Sequence, residues 1–340
     1  MSRFNSYLLP GLRLAVKGHP PKLHQAIDGY FNLCPTSADP PELQLDCQGV
    51  AATEFRGRLP EWLRQVSLVS QTASSTVLIT GPTGERAVFA EYDGFTACAW
   101  WHPAHEQIRA VCDFREGEPA GSILPSVLVP LIREFLEKKE RLLLHAAAVL
   151  GPGDVGMMFV AASGGGKTTT ALSLVRRGAK LISDDLLVIE AAGTDSTVYG
   201  IPKPLNIRRG TLDAFEELSA GTCARRSPGG DIAIRPQTVY GENCLAASAP
   251  IAFVFFLKLS GAEPAVRPLT AAEAMERIIQ SHLFTETQKV GPRSIVTLCE
   301  FIGRAQVYEL QTGPAAKQVG DWLLTTFCGQ QVSRGEGEAG

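Results

Sequence analysis

Residues 161–168, with the sequence AASGGGKT, constrain the fold of this 340-residue chain more than any other segment. They match the phosphate-binding pattern G-x-x-x-x-G-K-[ST], except that Ala161 replaces the first glycine. An apolar run at 157–162 leads into them, and residues 168–177 carry apolar positions at helical spacing, with Gly178 as the expected C-terminal cap. The order of strand, glycine-rich loop and helix predicts a nucleotide-binding turn in an α/β domain.

The residue types in this loop indicate ATP and Mg²⁺ as cofactors. Gly164, Gly165 and Gly166 let backbone N–H groups turn inward around phosphate oxygens, and the following helix N-terminus favours the same anion. Lys167 can neutralise the β- and γ-phosphates, and Thr168 offers a hydroxyl to the metal. The GTPase base-reading motif N-K-x-D does not occur in the sequence, so ATP is favoured. The predicted nucleotide contacts are Ser163, Gly164, Gly165, Gly166, Lys167, Thr168 and Thr169; a glycine-rich turn with an incidental lysine is the alternative.

Two adjacent acids interrupt the next strand-like segment, residues 180–189. Asp185 follows Thr168 by 17 residues, a distance that a helix, a turn and a strand would cover on the way back to the phosphate side of the sheet. An acid there can reach a metal ion or an incoming nucleophile. Because side chains alternate along extended backbone, we expect only one of Asp184 and Asp185 to face the nucleotide directly. A solvated pair of acids at a turn is the alternative.

These motifs together resemble the catalytic domain of HPr kinase/phosphorylase and the wider group of HPr-kinase-like proteins, which includes the kinases that tailor lasso peptides. The resemblance rests on His145 in the strand before the phosphate-loop strand, on the loop A-x-S-G-x-G-K-T, on Arg177-Gly178 at the helix end, and on LISDD at 181–185. It covers residues 140–210 well, the rest to about 325 loosely, and the first 120 hardly at all.

The fold that this resemblance implies is α/β. It consists of a P-loop kinase domain of the HPr kinase/PEP-carboxykinase-like type, preceded by a small β-rich or α+β N-terminal domain. The implied activity is that of an ATP- and Mg²⁺-dependent kinase that transfers the γ-phosphate to a hydroxyl, by family likeness a serine of a protein or peptide. A small-molecule kinase for a sugar or polyol and a non-catalytic ATP-sensing module stay open as alternatives.

The resemblance also implies roles for individual residues. Asp185 would accept the proton of the substrate hydroxyl, and Lys167 would clamp the phosphate. Thr168 and Asp184 would ligate the metal, and His145 would sit beside the transferring phosphate. For His145, a core histidine within the apolar run LLLHAAAVL is the alternative interpretation.

The sequence departs from the family pattern downstream of the loop. The acidic signature E-[IV]-R-G-x-G is absent, and residues 200–210, GIPKPLNIRRG, occupy roughly that region. The departure leaves phosphorolysis and HPr as a substrate without support. Lys203, Arg208 and Arg209 are candidate contacts to phosphate or to an acidic substrate. A solvated basic loop is the alternative.

The length predicts about two domains. Residues 1–120 alternate strand-like runs with Pro, Gly and Asp, which predicts a β-rich or α+β domain of unknown role. An amphipathic helix over 125–144 opens a catalytic domain at 125–330, and the tail 331–340 is expected to be disordered. The predicted N-terminal strands are 12–16, 43–47, 76–80, 87–92, 96–101 and 108–114.

Composition limits the partners and the compartment. A formal net charge of −3 argues against binding nucleic acid through charge, and no apolar run approaches the ~20 residues of a membrane-spanning helix. Eight cysteines without a C-x-x-C pair are typical of reduced thiols, so a cytoplasmic location is expected. The expected partners are ATP and a hydroxyl-bearing acceptor, and homo-oligomerisation is left open.

Overall fold

A computed structural model of the chain describes residues 5–9, 12–21, 23–25, 27, 34–66, 74–92, 95–113, 127–192, 195–201, 203–221, 225–226, 232–261, 263–280, 292–313 and 316–329. They fall into two compact units that divide between Lys139 and Glu140. Within these residues no helix is long and apolar enough to span a membrane. The tail predicted at 331–340 lies outside the described residues.

The described part of the first unit contains a seven-stranded sheet of mixed direction. Its strands are β1 (Asn5–Leu9), β2 (Leu12–His19), β3 (Leu43–Val50), β4 (Ser74–Thr80), β5 (Arg86–Tyr92), β6 (Phe95–Trp101) and β7 (Gln107–Asp113). Their order across the sheet is β1-β2-β3-β7-β6-β5-β4. The pairs β2–β3 and β3–β7 are parallel. Each of the six predicted runs coincides with one of the strands β2 to β7, apart from residue 114, which lies outside the described part.

Helices cover both faces of this sheet. The short helices α1 (Ala52–Arg58) and α2 (Glu61–Arg64) pack a cluster that includes Phe55 against Phe89 of β5. The helix α3 (Val129–Lys138) packs on the other face, where Phe135 meets Trp101 edge to face.

The helix predicted over 125–144 extends too far at its C-terminal end. Lys139 and Glu140 form a turn, Glu140 has a φ of +60°, and the next residues are a strand.

The second unit is built on a larger mixed sheet. Its strands are β8 (Arg141–His145), β9 (Ala147–Gly151), β10 (Val155–Val160), β11 (Lys180–Ser183), β12 (Leu186–Ala192), β13 (Asp195–Gly200), β17 (Ser248–Leu259), β18 (Ala265–Pro268) and β19 (Gln306–Thr312). The order is β11-β9-β10-β17-β13-β12-β8, and β19 pairs with both β17 and β18. A small separate sheet is formed by β14 (Leu205–Ile207), β15 (Arg225–Arg226) and β16 (Ile232–Ile234).

The continuous hydrophobicity of residues 142–150 predicts a single strand, but the structure has two strands there. The run divides at Ala146 into β8 and β9, which lie in different parts of the sheet: β8 pairs with β12, whereas β9 pairs with β10 and β11. Both strands have buried faces, and continuous burial hides the break from a hydrophobicity pattern. The break leaves His145 at the end of β8.

Helices pack on both faces of this sheet as well. They are α4 (Lys167–Val175), α5 (Arg209–Ala214), α6 (Pro236–Tyr240), α7 (Ala271–Ile278), α8 (Pro292–Arg304) and α9 (Ala316–Leu323). Along β10, Phe159 faces the cluster of α4 and α9, and Val160 faces the cluster of α7 and α8. The predicted cap of α4 is confirmed by the left-handed φ of +92° at Gly178. The unit is therefore α/β, with a core on each face of a mixed sheet.

One glycine allows two strands to approach closely beside the phosphate loop. Gly200 ends β13, and a Cβ at this position would overlap the backbone carbonyl of Ile182 in β11. Backbone atoms cannot rotate away as a flexible side chain can, so only glycine fits here. The contact sets the position of Ile182, two residues before Asp184.

We expect Gly200→Ala to lower the free energy of unfolding by about 1–3 kcal/mol, because the added methyl must displace one of the two strands. Denaturant unfolding followed by far-ultraviolet circular dichroism measures this. The control is Gly303→Ala in α8, where nothing lies within 4 Å of an added Cβ and the change should be neutral or slightly stabilising. Equal stability of the two variants would contradict the packing argument.

Candidate functional site

The glycine-rich loop joins β10 to α4 with the backbone geometry of an anion-binding turn. Gly164 and Gly166 have φ values of +81° and +91°, a left-handed conformation that side-chain-bearing residues rarely adopt. Left-handed residues within such a loop let successive N–H groups converge on one point. A Cβ on Gly165 would come within 2.7 Å of the Ala161 methyl. The predicted order of strand, loop and helix is confirmed.

Lys167 lies across the loop. Its side chain is buried, and its Nζ donates hydrogen bonds to the carbonyl oxygens of Ala161 at 2.8 Å and Ala162 at 3.4 Å. Burial lowers the pKa of Lys167, and the negative charges of Asp185 and Asp184 oppose that shift. The loop backbone therefore holds the Lys167 ammonium group in place. A phosphate oxygen bound in the loop would contact this ammonium group.

Asp184 is a buried carboxylate beside the first turn of α4. It accepts a hydrogen bond from the Thr168 hydroxyl at 3.3 Å. Burial raises the pKa of Asp184 to about 6, an effect that the positive charge of Lys203 partly opposes. Asp184 is thus the more easily protonated of the two adjacent acids.

Both acids line one cavity, so the alternation of side chains that led us to expect only one of them to face the nucleotide does not hold at this point of the chain. Residues 184–185 form a bend between β11 and β12 and are not extended. The alternation of side chains applies to extended backbone and fails at a bend.

Asp185 lies between two nitrogen-bearing side chains. His145 is the cross-strand partner of Leu186, so it lies next to Asp185, and its Nε2 is 2.8 Å from Asp185 Oδ1. The other carboxylate oxygen, Oδ2, accepts a hydrogen bond from Lys203 Nζ. Burial alone would raise the pKa of Asp185, but the contacts with His145 and Lys203 together outweigh it and hold that pKa well below its usual range. The His145 side chain is 40% exposed, so it is not a core histidine.

The segment from Lys203 to Thr211 lies along the loop and α4. Arg208 Nη2 donates to the Ser163 hydroxyl at 3.0 Å, and the Thr211 and Thr169 hydroxyls are 2.9 Å apart. Arg208 also lies where a Cβ on Gly164 would have to go. This segment therefore contacts three parts of the site: the acid, the loop and the helix.

These side chains surround a cavity of about 230 Å³. It is lined by His145, Ser163, Gly164, Gly166, Lys167, Thr168, Thr169, Asp184, Asp185, Lys203, Asn206, Arg208 and Thr211. Asn206 and Thr211 were not predicted, and their only sequence signal is their position beside Arg208. Arg209 was predicted as a candidate contact, yet it is exposed and is not among the lining residues.

The donor set fits a magnesium ion that is held mainly by a phosphate-bearing ligand. Thr168 and Asp184 supply a hydroxyl and a carboxylate, and Mg²⁺ prefers hard oxygen ligands, usually one or two carboxylates plus phosphate oxygens and water. In the described residues no group of three or more His, Cys, Asp or Glu side chains could hold a metal by itself. A metal in this cavity would therefore depend on ligand oxygens.

The fold and the site define an α/β protein in which a glycine-rich turn with a buried lysine shares a cavity with a pair of carboxylates. The curated HPr kinase/phosphorylase of Shouchella clausii (strain KSM-K16) is 36% identical to the chain over 108 residues, which are 30% of this chain and 33% of that protein. The match spans about a third of the relative's length. Over those 108 residues the chain is similar to an HPr kinase/phosphorylase, in line with the resemblance that its motifs predicted.

Two further comparisons add little. The solved structure of the HPr(Ser) kinase/phosphatase from Coxiella burnetii aligns over 57% of this chain and 98% of its own, with 11% identity and a TM-score of 0.32, too low to relate the two folds. No protein-family model matches the chain.

The pKa of Asp184 predicts a pH-dependent gain from removing its charge. Since this pKa is about 6 in the folded protein and about 4 in an unfolded chain, wild type loses stability as pH rises through that interval. Without Mg²⁺, Asp184→Asn should be more stable than wild type by up to about 3 kcal/mol at pH 7.5. Near pH 4 the difference should shrink to about 0.5 kcal/mol or less, because Asp184 is then neutral in the folded protein and only about half ionised in the unfolded chain.

Urea unfolding at the two pH values measures the difference. Part of the gain comes from Asp185, since its like charge is one of the lesser causes that raise the pKa of Asp184. The exposed Asp213 of α5 provides the control, since Asp213→Asn should leave stability unchanged at either pH. A gain for Asp184→Asn that is the same at pH 7.5 and pH 4 would show that burial of the charge is not its cause.

Proposed function

We propose that the protein is an ATP- and Mg²⁺-dependent kinase that transfers the γ-phosphate to a hydroxyl, with a serine of a protein or peptide as the acceptor. The single observation that carries the proposal is the position of Asp185. Its carboxylate lines the same cavity as the glycine-rich loop and Lys167, so an acceptor hydroxyl bound to this acid would lie next to the phosphates.

Nucleotide binding is assigned to the loop and the start of α4. The N–H groups of the turn and Lys167 would hold the β- and γ-phosphates, with Ser163 and Thr169 as further hydroxyl contacts. Thr168 and Asp184 would hold Mg²⁺, which neutralises developing charge on the phosphates when bound. The Asp184 carboxylate must lose its proton for that role, and nearby positive charge favours the ionised form.

The transfer itself needs little from the protein beyond position and charge. Asp185, held ionised, would accept a hydrogen bond from the acceptor hydroxyl and orient its oxygen toward the γ-phosphorus. The bond from that oxygen to phosphorus forms as the bond from phosphorus to the β–γ bridging oxygen breaks, and the hydroxyl proton passes to Asp185. ADP and the phosphorylated acceptor are the products. His145 and Arg208 would offer donors near the transferred group.

The second unit, from Glu140 to about residue 330, would form a catalytic domain of the HPr kinase/PEP-carboxykinase-like type. The β-rich first unit would be a separate domain, and it includes α3, which the sequence assigned to the start of the catalytic domain. A cytoplasmic location fits the supply of ATP and the reduced cysteines, seven of which are free in the described residues.

Asp185→Asn should separate catalysis from binding. We expect it to lower the rate of phosphoryl transfer at least about 100-fold, because the amide cannot take the proton, while ATP binding is retained. Lys167→Ala should instead weaken ATP binding by about tenfold or more, through loss of a charge-assisted contact. Radiolabel transfer from [γ-³²P]ATP to peptide and metabolite fractions measures the first effect, and calorimetric titration with ATP measures the second.

The matched control is Asp321→Asn, an exposed aspartate of α9 paired with Arg177 outside the cavity. It should leave both readouts at the wild-type value. Wild-type rates of transfer in Asp185→Asn would refute the assignment of the acid. Tight ATP binding without transfer to any fraction would favour an ATP-sensing module, and labelling confined to the metabolite fractions would favour a small-molecule kinase.

A further inference from the structure

Lys203 contacts the candidate catalytic acid. Its Nζ donates to Asp185 Oδ2, and only 10% of its side chain is exposed. In the same segment, Arg208 lies five residues further along and donates to Ser163 of the loop. From the sequence, both Lys203 and Arg208 are candidate contacts to phosphate or substrate. In the structure they contact different partners.

The two oxygens of the Asp185 carboxylate contact different side chains, which come from different segments of the chain. Oδ1 lies 2.8 Å from His145 Nε2, at the end of β8, and Oδ2 is held by Lys203, in the connection between β13 and β14. The terminal torsion of an aspartate is broad, so a carboxylate without anchors samples a range of orientations. Two contacts on different oxygens remove that freedom and set the plane of the group.

With both contacts in place, the Asp185 carboxylate can still accept a hydrogen bond from a further donor. An ionised carboxylate offers about four lone-pair sites on its two oxygens, and the two contacts use one on each. Asp185 also lines the cavity and keeps 30% of its side chain exposed. An acceptor hydroxyl can therefore reach the carboxylate while both contacts persist.

We propose that Lys203 is a positioning residue: with His145 on the other side, it fixes the Asp185 carboxylate in the orientation that receives the acceptor hydroxyl, and it is not a phosphate ligand. The inference rests on the proposed kinase function and assigns one of its residues a role that the sequence left undefined. It also gives a reason for the segment at 200–210, which supplies a lysine to the acid where the family's acidic signature is absent.

Removing this anchor should slow catalysis without weakening ATP binding. We expect Lys203→Met to lower kcat by about 10- to 100-fold, the usual loss when a group that orients a functional residue is removed. The KM for ATP and its Kd should stay near the wild-type value. Lys203→Arg, which keeps the charge and the donor, should recover a substantial part of kcat. The control is Lys180→Met, which removes an exposed lysine at the start of β11.

Steady-state kinetics with a labelled acceptor and calorimetry with ATP distinguish the outcomes. A rise in the Kd for ATP comparable to that of Lys167→Ala, with kcat unchanged, would make Lys203 a phosphate ligand and overturn the proposal. Unchanged kcat and KM in Lys203→Met would overturn it as well. Loss of activity in Lys203→Met that Lys203→Arg fails to restore, together with a lower melting temperature, would indicate a structural role and count against it.

The kinase function and the role of Lys203 fail in different ways. If wild type transfers phosphate to no acceptor, the proposed function fails, and the positioning role fails with it. If wild type is active and the lysine variants behave like wild type, only the role of Lys203 is overturned.

Discussion

The Asp185 carboxylate is the point on which the candidate site depends, because it joins three segments that are distant along the chain. His145 comes from the end of β8, Asp185 from the bend after β11, and Lys203 from the connection that follows β13. Each strand must end at the same place for these side chains to meet. The close approach of Gly200 to Ile182 is part of that requirement, since it brings β13 against β11 just before the bend.

The two adjacent acids show how environment divides similar groups between different tasks. Asp184 is buried beside a hydroxyl, and its pKa rises to about 6. Asp185 has a histidine and a lysine as partners, and its pKa falls well below the usual range. A pair of carboxylates whose pKa values are pushed apart is typical of sites in which one group binds or stores a proton and the other stays ionised. In the proposed kinase the buried acid would hold the metal and the ionised acid would receive the acceptor hydroxyl.

Sequence patterns predicted the local elements well where burial has one clear face, and less well where it does not. The strands β2 to β7 and the helix α4 were found because punctuation and periodicity mark them directly. The helix α3 was predicted too long because the charged residues at 137–139 fit the polar face of a helix that continues, although Glu140 adopts a positive φ there. The division between β8 and β9 was missed because residues buried on both faces carry no period that marks a boundary.

By itself, the sequence determined the glycine-rich turn, its lysine and hydroxyl residues, the pair of acids and the resemblance to HPr kinases. These depend on residue types at short spacing, and short-range geometry follows from backbone sterics. Only the tertiary structure decided that both acids share one cavity, that His145 and Lys203 meet Asp185, and that Arg208 reaches the loop whereas Arg209 stays outside. Those contacts depend on where each strand lies in a mixed sheet, and strand order is set by packing across the whole unit, which no local pattern encodes.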